Sequence, residues 1–211
     1  MLEVYITDAS GIDPEGAYPL SQYRLEKLKR QKNDSARRLG IAAELLLIKA
    51  LETAAPEVMP PLDIRCGRDG KPELSDSEIY FNLSHSGKYA ACAVSDSPVG
   101  LDIQTVRGCN VRLAEKYFTP QERRFIKEGK ASAHAFTQLW SIKESCVKLL
   151  GTGLKTPLSS FSVDPESGTA QLGGLMLHFY HSVLNGCHLS VCSADSAAVK
   201  EINISTIKLL P

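Results

Sequence analysis

The stretch that decides the fold is VGLDIQ, residues 99–104. Successive side chains of a β-strand point to opposite faces, so the three apolar residues share one face while Gly100, Asp102 and Gln104 share the other. The polar face presents a carboxylate and an amide beside a glycine that leaves room for something bulky. Two oxygen donors at this spacing suit a hard cation such as Mg²⁺. A half-buried antiparallel strand with a solvated polar face explains the same pattern, so both interpretations stay open.

A second stretch, WSIKESCVK at residues 140–148, has helical periodicity. Within and next to this stretch, the side chains at core spacing are Leu139, Ile142, Cys146 and Leu149. Glu144 and Lys148 lie one turn apart on the other side, with Trp140 one turn before them. An exposed ion pair of residues i and i+4 explains the two charges alone. An indole on the same stripe indicates instead that this face meets another surface or a ligand.

A third stretch, FNLSHSG at residues 81–87, is a strand that runs into a polar turn. Ser84 and His85 at the end of this strand could donate hydrogen bonds to a phosphate, or they could stabilise the turn. The chain has no G-x-S-x-G motif, which argues against a serine hydrolase.

Outward from these stretches, the pattern predicts an α+β protein of two halves, residues 1–97 and 98–211, each a strand, helices and an antiparallel β-meander. Two helices are predicted over residues 21–55, and Asn33–Ser35 separates them and caps the second. Another helix is predicted to begin at Thr119, which would form a capping box with Glu122, and a further one covers Ser132–Leu150. A turn is predicted over residues 67–72. The predicted strands are Val4–Ile6, Glu78–Leu83, Tyr89–Val94, Val99–Gln104, Phe161–Val163, Leu175–His181, Cys187–Cys192 and Ile202–Ser205.

Composition narrows the possible partners of the chain. Its 211 residues carry 24 basic and 24 acidic side chains, so no overall field draws it to nucleic acid or to a membrane. An anionic ligand must then be gathered by a few placed cations. The six cysteines form no C-x-x-C pair, which favours reduced thiols in a cytoplasmic protein. No signal peptide and no stretch of transmembrane length is recognised.

Together, the three stretches resemble the surfactin-type branch of the 4′-phosphopantetheinyl transferases, in the holo-carrier-protein synthase superfamily. The G-x-D and W-x-x-K-E-x-x-x-K motifs in one chain of this length are highly specific, although each alone would be weak. The matching segments are Gly70–Pro72 (GKP), Phe81–Gly87, Val99–Ile103, Phe118–Glu122 (FTPQE) and Trp140–Leu154.

The resemblance implies a monomer of two pseudo-symmetric halves with coenzyme A bound in the cleft between them. It implies transfer of the 4′-phosphopantetheine group from coenzyme A to a serine of an apo acyl or peptidyl carrier protein, which releases adenosine 3′,5′-bisphosphate. It also implies Mg²⁺, or Mn²⁺ in its place, held by Asp102 and Glu144. Family members often carry an acidic residue where this chain has Gln104, whose amide oxygen would ligate the metal directly or through water.

The same resemblance assigns roles to other side chains. Glu144, or a metal-bound water that it polarises, would take the proton from the carrier serine, and Lys148 would offer a cation or a proton to the leaving group. Arg24 and Lys27 are three residues apart on a helix and can point at one phosphate, although a solvated basic face explains them equally well. The residues implied to contact coenzyme A are Arg24, Lys27, Arg37, Lys71, Ser84, His85 and Lys143.

Two alternatives remain open at the level of sequence. One is a module that binds coenzyme A or a carrier protein without transfer activity, motivated by the neutral Gln104. The other is a Mg²⁺-dependent phosphodiesterase that hydrolyses the pantetheine link. The sequence does not choose among the carriers of fatty-acid, polyketide and nonribosomal peptide synthesis.

Overall fold

The computed structural model describes residues 1–67, 69–129 and 131–209, without the side chain of Leu154. Arg68 of the predicted turn lies outside the described residues. The strands are β1 (Leu2–Asp8), β2 (Ile64–Cys66), β3 (Pro72–Leu74), β4 (Tyr80–Ser86), β5 (Tyr89–Ser95), β6 (Val99–Thr105), β7 (Val163–Asp164), β8 (Thr169–Leu172), β9 (Leu175–Leu184), β10 (Cys187–Ser193) and β11 (Asn203–Thr206). The helices are α1 (Gln22–Lys29), α2 (Asp34–Ala54), α3 (Val111–Tyr117), α4 (Pro120–Glu128), α5 (Ser132–Leu150) and α6 (Ser196–Lys200).

The chain divides into two compact units, Met1–Val99 with Glu201–Pro211, and Gly100–Lys200. Each unit combines helices with a largely antiparallel sheet, so the predicted α+β class is confirmed. No helix within the described residues is both long enough and apolar enough to cross a membrane.

The first unit is built on a sheet with strand order β11-β1-β5-β4. The β4–β5 hairpin pairs Phe81 with Val94, and α2 packs on the face that carries these two side chains. Asn33 caps α2 as predicted, because its side chain accepts hydrogen bonds from two amides of the first turn. The main apolar residues of α2 in this core are Ile41, Ala42, Leu46, Leu47, Ala50 and Leu51.

The tail of the chain departs from the predicted halves. The sequence places residues 98–211 in one half, whereas β11 pairs in parallel with β1, with Val4 opposite Ile204. Residues from Glu201 onward therefore lie with the first unit, because β1 offers an unpaired edge to this strand. The division between the units falls after Val99, two residues past the predicted one.

The second unit is built on a sheet with strand order β6-β10-β9-β8-β7, with α5 packed on β10. The predicted core stripe of α5 is confirmed, since Leu139, Ile142, Cys146 and Leu149 are all buried. The helix ends at Gly151 in the left-handed conformation, with φ 73°. Thr119 and Glu122 form the predicted capping box at the start of α4.

Candidate active site

Strand β6 and helix α5 approach each other unusually closely at Gly100. A Cβ atom added there would lie 2.0 Å from the carbonyl oxygen of Ser145 and 2.5 Å from the amide nitrogen of Leu149. The room beside this glycine is therefore filled by the backbone of α5, which corrects the expectation that it accommodates a bulky ligand group. Glycine is required because any side chain would push the helix away.

The next residue on the same face of β6 is paired with α5. The Nζ atom of Lys148 lies 2.7 Å from Oδ1 of Asp102 and donates a hydrogen bond to it. The Asp102 side chain is 5% exposed and that of Lys148 is 28% exposed. Asp102 is thus a buried carboxylate, and the ammonium of the more exposed Lys148 compensates its charge.

Glu144 lies beside this ion pair. Burial raises the pKa of the Glu144 carboxyl above its usual value, and the negative charge of Asp102 raises it further, while the positive charge of Lys148 acts in the opposite sense. The carboxylates of Asp102 and Glu144, 42 positions apart in the chain, are therefore close enough to repel each other. The structure brings together the two residues on which the sequence prediction depends.

This donor set fits a hard divalent cation. Mg²⁺ is usually bound by one or two carboxylates, with substrate phosphates and water completing its coordination. Asp102 and Glu144 supply two such carboxylates, and their repulsion would be relieved by a cation between them. Among the described residues, no group of three or more His, Cys, Asp or Glu side chains is arranged to hold a metal ion. The described part of the chain thus offers Asp102 and Glu144 as the carboxylates for this ion.

Gln104, two residues beyond Asp102 on β6, lines a pocket of about 320 Å³. Trp140 also lines this pocket, with its indole ring edge-on to Tyr117 at 5.3 Å and stacked on Phe136 at 5.9 Å. Trp140 was expected to meet another surface or a ligand, and in the structure it packs against aromatic side chains of the same chain. The metal contact expected of Gln104 stays a prediction.

Lys143 corrects the sequence prediction of a coenzyme A contact. Its side chain is fully buried, with Nζ 2.9 Å from Oε2 of Glu122 and 2.7 Å from the carbonyl oxygen of Leu158. Burial lowers the pKa of the Lys143 ammonium, and the charge of Glu122 opposes that shift. A ligand cannot reach this group, because the protein already surrounds it.

Arg24 and Lys27 do not form the predicted free cationic pair. Arg24 is buried, and its Nε lies 3.3 Å from Oε2 of Glu44, a carboxylate that also accepts hydrogen bonds from the amide and the hydroxyl of Ser21. Lys27 is exposed and lies over the ring of Tyr23, with Nζ 4.4 Å from the ring centroid. Arg24 thus anchors α1 on α2, and Lys27 alone is open to solvent.

Arg37 is engaged in a similar way within the first unit. Its guanidinium donates hydrogen bonds to the carbonyl oxygens of Pro14 and Leu28 and lies 3.1 Å from a carboxylate oxygen of Glu15. These contacts fasten the loop before α1 to the start of α2. The predicted phosphate contact is therefore corrected to a structural role.

Ser84 and His85 are neighbours on β4 and so face opposite sides of the sheet, with Ser84 buried and His85 exposed. The phosphate contacts expected of Ser84 and His85 stay predictions. Lys71 donates a hydrogen bond to the carbonyl oxygen of Val99 at 2.9 Å. Coenzyme A contacts by Lys71 and His85 stay predictions.

A row of three histidines in the second unit was not predicted from the sequence. Nε2 of His188 lies 3.2 Å from Nδ1 of His134 on α5, and Nδ1 of His188 lies 2.9 Å from Nε2 of His181 on β9. Burial lowers the pKa of His188 to about 4, helped by the charges of its two neighbours. To predict the contact between His181 and His188, one would have needed both the strand alternation of β9 and β10 and the register in which they pair.

Comparisons with known proteins match this part of the chain. Residues 98–199 match the family model described as the 4′-phosphopantetheinyl transferase superfamily. The chain is 34% identical over 127 residues to the 4′-phosphopantetheinyl transferase gsp of Aneurinibacillus migulanus, covering 59% of this chain and 53% of that protein. It is 33% identical over 148 residues to the transferase psf-1 of Bacillus pumilus, covering 65% of this chain and 63% of that protein.

A further relative is the transferase Sfp of Bacillus subtilis strain 168, which is 38% identical over 97 residues, covering 44% of this chain and 43% of that protein. The chain thus spans about half the length of the curated relatives it matches. A solved holo-[acyl-carrier-protein] synthase of Thermotoga maritima is a distant likeness, with 18% identity and a TM-score of 0.36 over 45% of this chain and 61% of that one. The matched segment contains β6 and α5, so the resemblance drawn from the sequence is confirmed. Residues 98–199 of this chain are thus similar to the 4′-phosphopantetheinyl transferase superfamily.

Proposed function

We propose that this chain transfers the 4′-phosphopantetheine group of coenzyme A to a serine of an apo acyl or peptidyl carrier protein, releasing adenosine 3′,5′-bisphosphate. One observation carries the proposal. The carboxylates of Asp102 on β6 and Glu144 on α5 lie within electrostatic reach of each other, with the ammonium of Lys148 bound to Asp102. The match of residues 98–199 to the superfamily supports this interpretation, because the matched residues include this cluster.

Glu144 is the proposed general base. A carboxylate is a poor base at neutral pH when its pKa is near 4, and a raised pKa brings it closer to the proton that it must accept. Burial and the charge of Asp102 act on Glu144 in that direction. Glu144, or a metal-bound water that it polarises, would take the proton from the hydroxyl of the carrier serine as that oxygen attacks phosphorus.

Lys148 is the proposed stabiliser of the leaving group. Its side chain is 28% exposed, so its ammonium can be approached from solvent while it holds Asp102. A cation placed where negative charge develops lowers the barrier for phosphoryl transfer. Lys148 would bind the departing phosphate oxygens and orient them away from Glu144.

Mg²⁺ is the proposed cofactor, held by Asp102 and Glu144, and Mn²⁺ could take its place. When bound, it would neutralise charge on the pyrophosphate of coenzyme A. Gln104 stays a proposed third contact, direct or through water, because it lies one strand step from Asp102 on the same face. In this arrangement the amide of Gln104 takes the place of the third carboxylate that family members often have.

For coenzyme A itself, we propose contacts from Lys27, Lys71 and His85. Lys27 and His85 are exposed, and Lys71 is half-buried. We also propose a monomer in the cytoplasm. The location is supported by six free cysteines, among them Cys146 and Cys192 with sulfur atoms 3.6 Å apart, because reduced thiols are typical of that compartment.

The test is mass spectrometry of an apo carrier protein incubated with the chain, coenzyme A and Mg²⁺. We expect the carrier to gain one phosphopantetheine group on its serine. One carrier each from fatty-acid, polyketide and nonribosomal peptide synthesis should be tried. Binding of coenzyme A without any gain in carrier mass would point to a binding module, and loss of the group from holo carrier would point to a phosphodiesterase.

A further inference from the structure

The second unit contains a fully buried lysine that the proposed chemistry does not use. The ammonium of Lys143 contacts a carboxylate oxygen of Glu122 at 2.9 Å and the carbonyl oxygens of Leu158 and Phe161 at 2.7 Å and 2.5 Å. It also lies 4.4 Å from the centroid of the Phe161 ring. We call this group of four residues the Lys143 anchor.

The carboxylate of Glu122 extends the anchor to other elements. Its Oε2 accepts a hydrogen bond from the amide of Thr119 at 2.8 Å, which caps α4. Its Oε1 accepts one from the amide of Val163 at 3.0 Å, at the start of β7. The anchor therefore fixes the middle of α5 to the beginning of α4 and to the turn that leads into β7.

Stability alone does not account for such an anchor. Burying two charges costs more free energy than their attraction returns in many proteins, and apolar residues of similar volume are often as stable. What an ion pair with several directed hydrogen bonds supplies is a defined geometry. An apolar replacement at position 143 would fill the space without fixing the rotation of the helix.

The rotation of α5 matters because Glu144 follows Lys143 directly. Adjacent residues on an α-helix point about 100° apart around its axis. With Lys143 held by the anchor, the direction of Glu144 is set toward Asp102. The close contact of Gly100 with Ser145 and Leu149 holds α5 from the side of β6. Glu144 thus lies between two fixed points of the helix.

We propose that Lys143 is a positioning residue, which through Glu122 holds α5 in the rotation that directs Glu144 at Asp102, and that it makes no contact with coenzyme A. The proposal rests on the proposed function for its kinetic consequence. Its geometric part, that the anchor determines how well Asp102 and Glu144 act as one pair, stands on contacts within the second unit.

The experiment uses the paired variant Lys143→Met with Glu122→Gln, because Lys143→Met alone leaves an uncompensated buried carboxylate and can fail to fold. We expect kcat for transfer to fall at least tenfold while KM for coenzyme A changes less than about twofold. Mn²⁺ binding, followed by electron paramagnetic resonance, should weaken at least threefold. Trp140, the one tryptophan of the chain, reports by its fluorescence whether α5 remains folded.

The control is Lys49→Met with Glu52→Gln, which removes an exposed ion pair of α2 by the same substitutions and should change none of these quantities. A rise in KM for coenzyme A with unchanged kcat would overturn the proposal, since Lys143 would then contact the substrate. A folded anchor variant with wild-type kcat and Mn²⁺ affinity would overturn it too. If the wild type transfers to no carrier, the proposed function fails, while the Mn²⁺ comparison still decides the positioning role.

Discussion

At the scale of single residues, Glu144 lies between charges of opposite sign. Burial raises the pKa of Glu144, the charge of Asp102 raises it further, and the charge of Lys148 lowers it. A carboxylate in this position can bind a cation jointly with Asp102 and can also accept a proton. Both properties follow from two neighbours that are distant in sequence.

We expect Glu144→Gln to slow transfer by at least about 100-fold, the usual loss when a general base is removed. The free energy of unfolding should change by less than about 1 kcal/mol, because the side chain is off the core stripe and its loss relieves repulsion with Asp102. Carrier mass spectrometry and thermal unfolding measure the two quantities. Glu128→Gln, an exposed residue at the end of α4, is the matched control. Near-wild-type transfer by Glu144→Gln would remove the catalytic assignment.

We expect Gln104→Glu to leave Mg²⁺ binding unchanged or to tighten it by up to roughly tenfold. A third carboxylate close to a cation contributes about 1 kcal/mol or more at the dielectric of a protein surface. Calorimetric titration with Mg²⁺ in the presence of coenzyme A measures the change. Clearly weaker binding would mean that Gln104 does not face the metal and serves only as part of the pocket wall.

The sequence indicates which residues are charged but not which of them pair. Strand and helix periodicity places Asp102, Glu144 and Lys148 on polar faces, and it is the resemblance to the 4′-phosphopantetheinyl transferases that predicts their convergence. Lys143 and Arg24 were misassigned because their partners, Glu122 and Glu44, come from other turns of the fold. No local pattern shows that a lysine between apolar neighbours will be surrounded by carbonyl oxygens.

At the scale of elements, the site is formed by side chains of β6 and α5, which pack against each other. Along β6, Gly100 meets Ser145 and Leu149, Asp102 meets Lys148, and Gln104 shares a pocket with Trp140. The residues that meet Gly100 and Asp102 lie together near the end of α5, and Trp140 lies about two turns earlier in the helix.

We expect Gly100→Ala to destabilise the chain by about 3 kcal/mol or more, since its Cβ atom would overlap backbone atoms that cannot rotate away. Any folded fraction should transfer slowly, because a shift of about 1 Å between Asp102 and Glu144 can cost 100-fold in rate. Urea unfolding and a transfer assay test both effects. Gly11→Ala, where an added Cβ meets no atom within 4 Å, should behave as wild type. Wild-type stability of Gly100→Ala would contradict the close approach of α5.

The contact between α5 and β10 carries a dependence on pH. His188 is buried between His134 and His181, and its pKa is lowered to about 4 by burial first and by those two rings second. An unfolded histidine has a pKa near 6.5. As pH falls below that value, His188 becomes protonated in the unfolded chain but stays neutral in the folded chain, so the free energy of unfolding decreases.

From pH 7.5 to pH 5, we expect His188 to account for a loss of about 2 kcal/mol in the free energy of unfolding. Urea unfolding of His188→Gln should therefore show a smaller decrease over this range than the wild type. His178→Gln, on the opposite face of β9, should follow the wild type. An identical decrease in all three proteins would show that the pKa of His188 is not lowered in the folded chain.

The elements with strong local signals were the ones predicted best. Helix α5 has the predicted bounds, because its apolar stripe and Gly151 mark it clearly. The short hairpin of β2 and β3, the helix α3 and the strand β8 were missed. Each is at most seven residues long, and pairing or packing with distant segments stabilises it more than its own sequence does.

At the scale of the whole molecule, the chain carries no net charge, so any binding of an anionic substrate depends on local cations. The two units could be predicted from the repeated order of strands and helices. The return of β11 to β1 could not, because a short β-branched segment carries no information about which edge it joins. The central claim, that Asp102 and Glu144 form one site, likewise joins segments that the sequence keeps apart.

The most direct test of that claim is a double-mutant cycle on Mn²⁺ binding in the presence of coenzyme A, using Asp102→Asn, Glu144→Gln and the two combined. If both carboxylates hold one ion, either single change should weaken binding by at least about tenfold, and the combined change should cost much less than the sum of the two. Unchanged affinity in either single variant, or losses that simply add, would contradict a shared site.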